Sequence, residues 1–300
     1  FIGGTNSESC DIININLSGK IDIPASVAQK TQVGSFVGKA NALGNMINCH
    51  SDVEINIMGA PAYVGGVLAF MKNANIKNCS YSGNITIATS GKVTNGIGGI
   101  LGCTNSSTTG IEAVINGCYF DGSIKNNGSG IPKYVAGINS YSNLSKAAET
   151  ITNNYVIGTI DCTATDQGTV YGKTNTTNFD CENNYYYADY TLTGKGGIPM
   201  KIEEFHSGEV AHLLNGDQME FLFGQELDSD DNMPVVYRGS NRVYKTIFMY
   251  NDYEYAVLYN NTEMKFPKNP VPDDNPTFEG WYDEKGNRYD RNSTTQTDLT

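Results

Sequence analysis

The sequence predicts a mainly β fold, built on a right-handed parallel β-solenoid of about six rungs over residues 1–194, and three observations carry that prediction. The first is composition: 33 Gly and 19 Tyr among 300 residues, with only 17% charged side chains, favour turn-rich β structure over helices. The second is a box of one aliphatic residue followed by small ones that returns every 31 to 38 residues. The third is another box after each of these, in which apolar residues alternate with Thr, Asn, Lys and Ser at the period of a half-buried strand.

The first box reads "IGGT" at Ile2, "VGSFVG" at Val33, "VGGVLA" at Val64, "IGGILG" at Ile97, "VAGINS" at Val135 and "VYGKTN" at Val170. In the second box a phase runs Ile15, Cys49, Cys79, Cys118, Asn154 and Asn184. Six residues further on stand Ile21, Ile55, Ile85, Ile124, Ile160 and Tyr190, and eight further on Ile23, Ile57, Ile87, Asn126, Cys162 and Leu192. Offsets that differ by two put these residues on one side of a strand. One coil of this length cannot bury its own apolar face, whereas stacked coils about 4.8 Å apart share a continuous core.

The seven cysteines contain no CxxC pair, and none has a His at zinc-ligand spacing. The recurrence of Cys49, Cys79 and Cys118 predicts a ladder of inward thiols, with Ile15 in the same phase supporting a packing role. A disulfide between Cys49 and Cys79 is the geometric alternative, since adjacent rungs bring their Cα atoms within range.

"VGGVLAF" and "IGGILG" followed by "IKNCSYSGNIT" resemble the GLUG-type repeats of bacterial surface proteins, adhesins and immunoglobulin-cleaving peptidases. Beyond the solenoid, "GGIPMKIEEFHSGEVAHLLNG" places Ile202, Phe205, Val210, Leu213 and Leu214 at helical spacing, with Asn215 and Gly216 as a stop signal. This α/β connector, 195–242, is similar to the one that follows GLUG repeats in Gram-positive gut bacteria. From Val243 the chain is Tyr-rich and extended, and "FEGWYDEKG" resembles the Listeria–Bacteroides repeat of internalin-type surface proteins. That resemblance implies a small β-grasp-like module over 243–300, cut before or within its last strand. Trp281 and Tyr282 would be its core and rim.

A net charge of −12 excludes a nucleic-acid partner, which would require clustered Lys and Arg. No apolar run is long enough to span a bilayer, and "FIGGTNSES" lacks the regions of a signal peptide, so the chain reads as a piece of a longer protein with no membrane insertion of its own. No catalytic, cofactor or metal site is predicted. His50, His206 and His212 are too scattered for a nucleophile relay, and the two on the connector helix read as solvated surface. "DSDDN" sets Asp228, Asp230 and Asn232 at the first ligand positions of a calcium loop, but Met233 and Gly239 occupy the places of its Gly and Glu, which favours a solvated turn. Asp22, Glu54, Asp121 and Asp161 fall in different phases and do not converge as a glycosidase pair would.

The expectation is therefore a non-catalytic cell-surface or secreted protein of a Gram-positive gut bacterium, a spacer and adhesive surface for a host or matrix protein or glycan. The alternatives are a carbohydrate-binding module and a polysaccharide-active β-helix enzyme, for which a Tyr-lined groove with paired carboxylates would be the sign. Tyr185, Tyr186, Tyr187 and Trp281 are the candidate ligand contacts, weighed against capping the solenoid end and packing the module core.

Overall fold

The computed structural model describes residues 2–5, 10–28, 30–42, 44–91, 94–189, 194–216, 222–229, 233–236, 241–271 and 278–300. Their contacts divide the chain into two units, Phe1–Pro199 and Met200–Thr300. The helices expected in the connector and the strands expected in the last module fall together in the second unit.

The first unit is a parallel β-solenoid of about five turns. In one representative turn, Tyr63–Gly65, Leu68–Met71, Asn75–Lys77, Ser80–Tyr81 and Asn84–Ile87 form five short strands. Each pairs in parallel with its equivalents in the turns on both sides. The predicted isoleucine row is the observed register: Ile21, Ile55, Ile85, Ile124 and Ile160 are successive partners. Ile55, Ile85 and Ile124 are wholly buried, Ile160 is buried, and Ile21 in the first turn is partly buried against the same core. Tyr190 and Leu192, expected to continue the rows, lie outside the described residues.

Two boxes sit differently from the expectation. Ile2 pairs with Val37 and not Val33, and the partner of Val135 is Gln167 and not Val170. What keeps register is the buried column after the small residues, Phe36, Val67, Ile100, Ile138 and Val170, each without solvent exposure. Alignment on the aliphatic residue before the glycines misplaces "DQGTV", where Gln has replaced it. It also misplaces "IGGT", which enters partway round a turn, so six boxes make about five turns.

The two boxes travel together because they touch. A Cβ on Gly66 would collide with the ring of Tyr81, one on Gly99 with Phe120, and one on Gly137 with the methyls of Val156. The residue two places after the cysteine phase thus rests directly on the second small residue of the first box. In the preceding turn Ser35 replaces the glycine, and Ser51, register partner of Tyr81, replaces the ring.

The cysteine column has a polar purpose that packing alone did not predict. Each turn bends through a left-handed residue, and Asn14, Asn48, Asn78, Gly117, Asn153 and Asn183 have φ between 50° and 66°. Asn and Gly tolerate that conformation best. The carbonyl two residues before each bend accepts a bond from the residue just after the bend in the next turn. Cys49 Sγ lies 3.4 Å from Ile12 O, Cys79 Sγ 3.4 Å from Met46 O, and Cys118 Sγ 3.6 Å from Ile76 O. Each thiol proton is shared with the carbonyl two residues back in its own turn, Ile47, Lys77 and Asn116, at 3.4, 3.3 and 3.5 Å. In the later turns Asn154 Nδ2 donates to Ile115 O at 3.2 Å and Asn184 Nδ2 to Ile151 O at 2.7 Å. Thiol and amide interchange because both are donors to a buried carbonyl. Ile15 fits the first turn because no described turn beneath it offers such a carbonyl.

All seven cysteines are free, with Cys10 exposed, Cys181 intermediate and the other five buried. The neighbouring Cys79 thiol, then burial, pushes the Cys49 thiol up, and burial does the same to Cys79. In a thiol titration of the native protein, Cys10 should react at once and Cys181 slowly. Cys49, Cys79, Cys103, Cys118 and Cys162 should react only on unfolding, with all seven counted in denaturant. Two thiols missing in denaturant would establish the disulfide instead.

In the second unit, α1 (Ile202–His206) and α2 (Glu209–Asn215) occur where the periodicity places them, burying Phe205, Val210, Ala211 and Leu214. Asn215 does more than end α2. Its side chain bonds the backbone of Ala211, Leu222 and Phe223. Strands Tyr244–Tyr250 and Tyr253–Asn260 form an antiparallel hairpin through Asn251 and Asp252, both at positive φ. Trp281–Tyr282 pairs with Arg288–Tyr289, and Leu299 forms a parallel bridge to Thr246.

Candidate interaction face

The solenoid surface differs by face. One sheet is formed by Ile2–Thr5, Val37–Ala40, Leu68–Met71, Thr104–Ser106, Asn139–Leu144 and Tyr171–Thr174. None of these strands contains Asp or Glu. The next sheet round, with Glu112–Asn116, Ala148–Thr152 and Asn178–Glu182, carries several.

Alternation sets what the carboxylate-free sheet shows. Lys39, Phe70, Tyr141 and Lys173 lie along one outward column, each half-buried. Tyr63 and Tyr134, from the sheet on the other side of the glycine turn, lean against them, with ring centroids 6.1 Å apart for Tyr63–Phe70 and 4.4 Å for the stacked Tyr134–Tyr141. Between the two aromatic pairs the intervening turn supplies only Gly96 and Cys103. Desolvation and the nearby Cys103 push the Tyr63 hydroxyl up, so it stays neutral.

Lys39 Nζ sits 5.6 Å from the Phe70 ring centroid. At the other end Lys173 and Lys195 both approach Asp166, at 3.9 and 3.6 Å. Amides flank the rings: Asn105 pairs with Asn143 in register, their side chains bond at 3.3 Å, and Asn175 Nδ2 donates to Tyr141 Oη at 3.0 Å. Aromatic faces, amides and ammonium groups on one surface can bind and orient a ligand.

The residues singled out in the sequence lie elsewhere. Tyr185 is buried, with its hydroxyl on Asn183 Oδ1. Tyr186 packs on the core against Gly194 and Gly197, and Tyr187 Oη donates to Asp189 Oδ2 at 2.7 Å. These positions suit a cap. Trp281 is half-buried, with Phe248, Tyr255 and Phe278 rings 4.9, 6.0 and 5.2 Å away, the packing of a small core; Tyr282 is exposed beside it.

His212 is not a solvated surface residue as expected. Its Nε2 lies 2.8 Å from Asp298 Oδ2, and its ring lies 5.6 Å from that of Tyr259. His206 is exposed, and His50 contacts Ser80 Oγ. Asp228 pairs with Lys265 at 3.0 Å, whereas Asp230 and Asn232 lie outside the described residues. Asp22, Glu54, Asp121 and Asp161 are all exposed. Among the described residues no group of three or more His, Cys, Asp or Glu is placed to hold a metal ion.

Sequence reading missed one titratable group, Glu149, which is wholly buried inside the fifth turn. Its Oε1 accepts from Thr104 Oγ1 at 2.6 Å and Asn139 Nδ2 at 2.8 Å, while Oε2 has no hydrogen bond. Burial raises its carboxyl to about 7 against the opposing pull of Ser142, Thr104 and Asn139. The available signal was an acid at an inward phase, opposite Ala113 in the turn below.

No family model matches the chain, and no curated protein or solved structure is similar to it. No helix among the described residues is long and apolar enough to cross a membrane.

Proposed function

We propose that the chain belongs to a bacterial cell-surface or secreted protein and acts without catalysis, its solenoid presenting a contact face to a host or matrix molecule. The observation that carries this reading is the carboxylate-free face of half-buried rings, amides and lysines on a chain of net charge −12. The resemblance of the repeats to GLUG-type surface proteins points the same way. About five turns at 4.8 Å span roughly 24 Å, so contact outweighs spacing as the solenoid's contribution.

A face of this height and one strand's length across covers on the order of 300 Å², well below the area of a stable interface. One copy therefore binds weakly, and dense display supplies the strength. The test compares soluble monomer with the same chain coupled densely to beads, on surfaces coated with matrix proteins or polysaccharides. Beads should be retained where the monomer is not. Turnover of any polysaccharide in the panel, or beads that bind nothing, would overturn the proposal.

A further inference from the structure

We infer that the ligand of this face is a linear acidic polysaccharide, lying along the solenoid axis across Phe70 and Tyr141 with its carboxylates toward Lys39, Lys173 and Lys72. The inference rests on the contact-face reading and adds the ligand class.

Three features select it. Spacing is the first: Phe70 and Tyr141 stand two turns apart, about 9.6 Å at the usual strand separation, which is close to the length of a disaccharide. The turn between them contributes Cys103, wholly buried, so no side chain there lifts a chain off the two rings. Hydrogen bonding is the second. Asn105, Asn143 and Asn175 edge the ring column two residues further along each strand, offering both donors and acceptors to sugar hydroxyls.

Charge is the third feature. The sheet carries lysines at both ends of the ring column and no carboxylate, and exposed Lys72 lies one residue past Met71 on the same side. Asp166 offsets part of the charge of Lys173 and Lys195 from the neighbouring sheet, leaving the face net positive. On a chain of net charge −12, such a face favours an anion over a neutral glycan, and uronate carboxylates recur along the axis. A protein ligand would not be selected by the ring spacing.

The experiment is affinity electrophoresis of the whole chain through gels holding polygalacturonate, a neutral β-1,4-glucan, or polyglutamate as a polyanion without sugar rings. Polygalacturonate should retard the protein most, and the retardation should shrink as salt screens the lysines. Phe70→Ala and Tyr141→Ala should each weaken binding about tenfold. Tyr141→Phe, which keeps the ring, should bind nearly as well as the parent. Lys39→Gln with Lys173→Gln should remove most of the salt dependence, and Lys125→Gln on another face should change nothing. Protection of the five buried thiols checks that each variant is folded.

Equal retardation by polyglutamate with no effect of the ring variants would overturn the inference, as would equal retardation by the neutral glucan. Beads that adhere only to matrix proteins through this face would also overturn it while leaving the contact-face reading standing. Beads that adhere to nothing would remove both.

Discussion

Replacing Ile85 by Asp should lower the unfolding free energy by at least about 4 kcal/mol, in the range where the middle of the solenoid no longer holds together. Ile85 has no solvent exposure and lies between Ile55 and Ile124 in an apolar row. An aspartate there is a charge with neither water nor a cation to compensate it. Because each turn contacts only its neighbours, the loss severs the stack at one level and propagates to both sides. The control is Ile21→Asp in the same row. Ile21 belongs to the first turn and is only partly buried, so its carboxylate can reach water and the cost should be well under half as large. Urea unfolding followed by far-ultraviolet circular dichroism measures both. Equal costs at the two positions would mean that the row does not face a common core.

Glu149→Gln should stabilise the protein at pH 8 by roughly 2 kcal/mol and destabilise it by about 1 kcal/mol at pH 4. Inside the fifth turn Glu149 stands over Ala113 and under Phe179, enclosed by buried Thr104, Asn139 and Ser142. Burial lifts its carboxyl from 4.5 to about 7. Below pH 4.5 both folded and unfolded chains hold the proton, and the group costs nothing. As pH rises from 4.5 toward 7 the unfolded chain releases its proton first, so stability falls. Above about 7 both forms are ionised and the penalty is constant, roughly 3 kcal/mol for a shift of this size. Glutamine has no proton to lose, but it leaves an amide donor where Oε2 had no partner, which takes back about 1 kcal/mol. The measurement is the stability difference between parent and variant from pH 4 to pH 8. A difference that stays flat over that range would show that Glu149 keeps an ordinary carboxylate pKa.

Legibility in the sequence followed the physics of each feature. The isoleucine row was readable because an inward position in a stacked strand accepts few residue types, and repetition makes the restriction visible. The cysteine phase was readable as inward for the same reason. Its task was not, since the carbonyl it serves belongs to the preceding turn and is turned inward by a bend at Asn or Gly. The misplaced boxes at Ile2 and Val170 show the same limit: glycines are conspicuous, but register is held by the buried side chains after them. The candidate face was invisible because Phe70, Tyr141 and the lysines vary from turn to turn and belong to no repeat.

Inward phase, the helical character of the connector and its stop at Asn215 and Gly216 were therefore settled by the sequence alone, because each depends on residues close together along the chain or on their regular recurrence. The contact of Gly66 with Tyr81, the shared donor role of cysteine and asparagine, the carboxyl enclosed with Asn139 and the lysine-bounded ring column were decided only by tertiary structure. In each the partners lie at least ten residues apart or in different turns, and no local pattern encodes which surface one turn offers to the next.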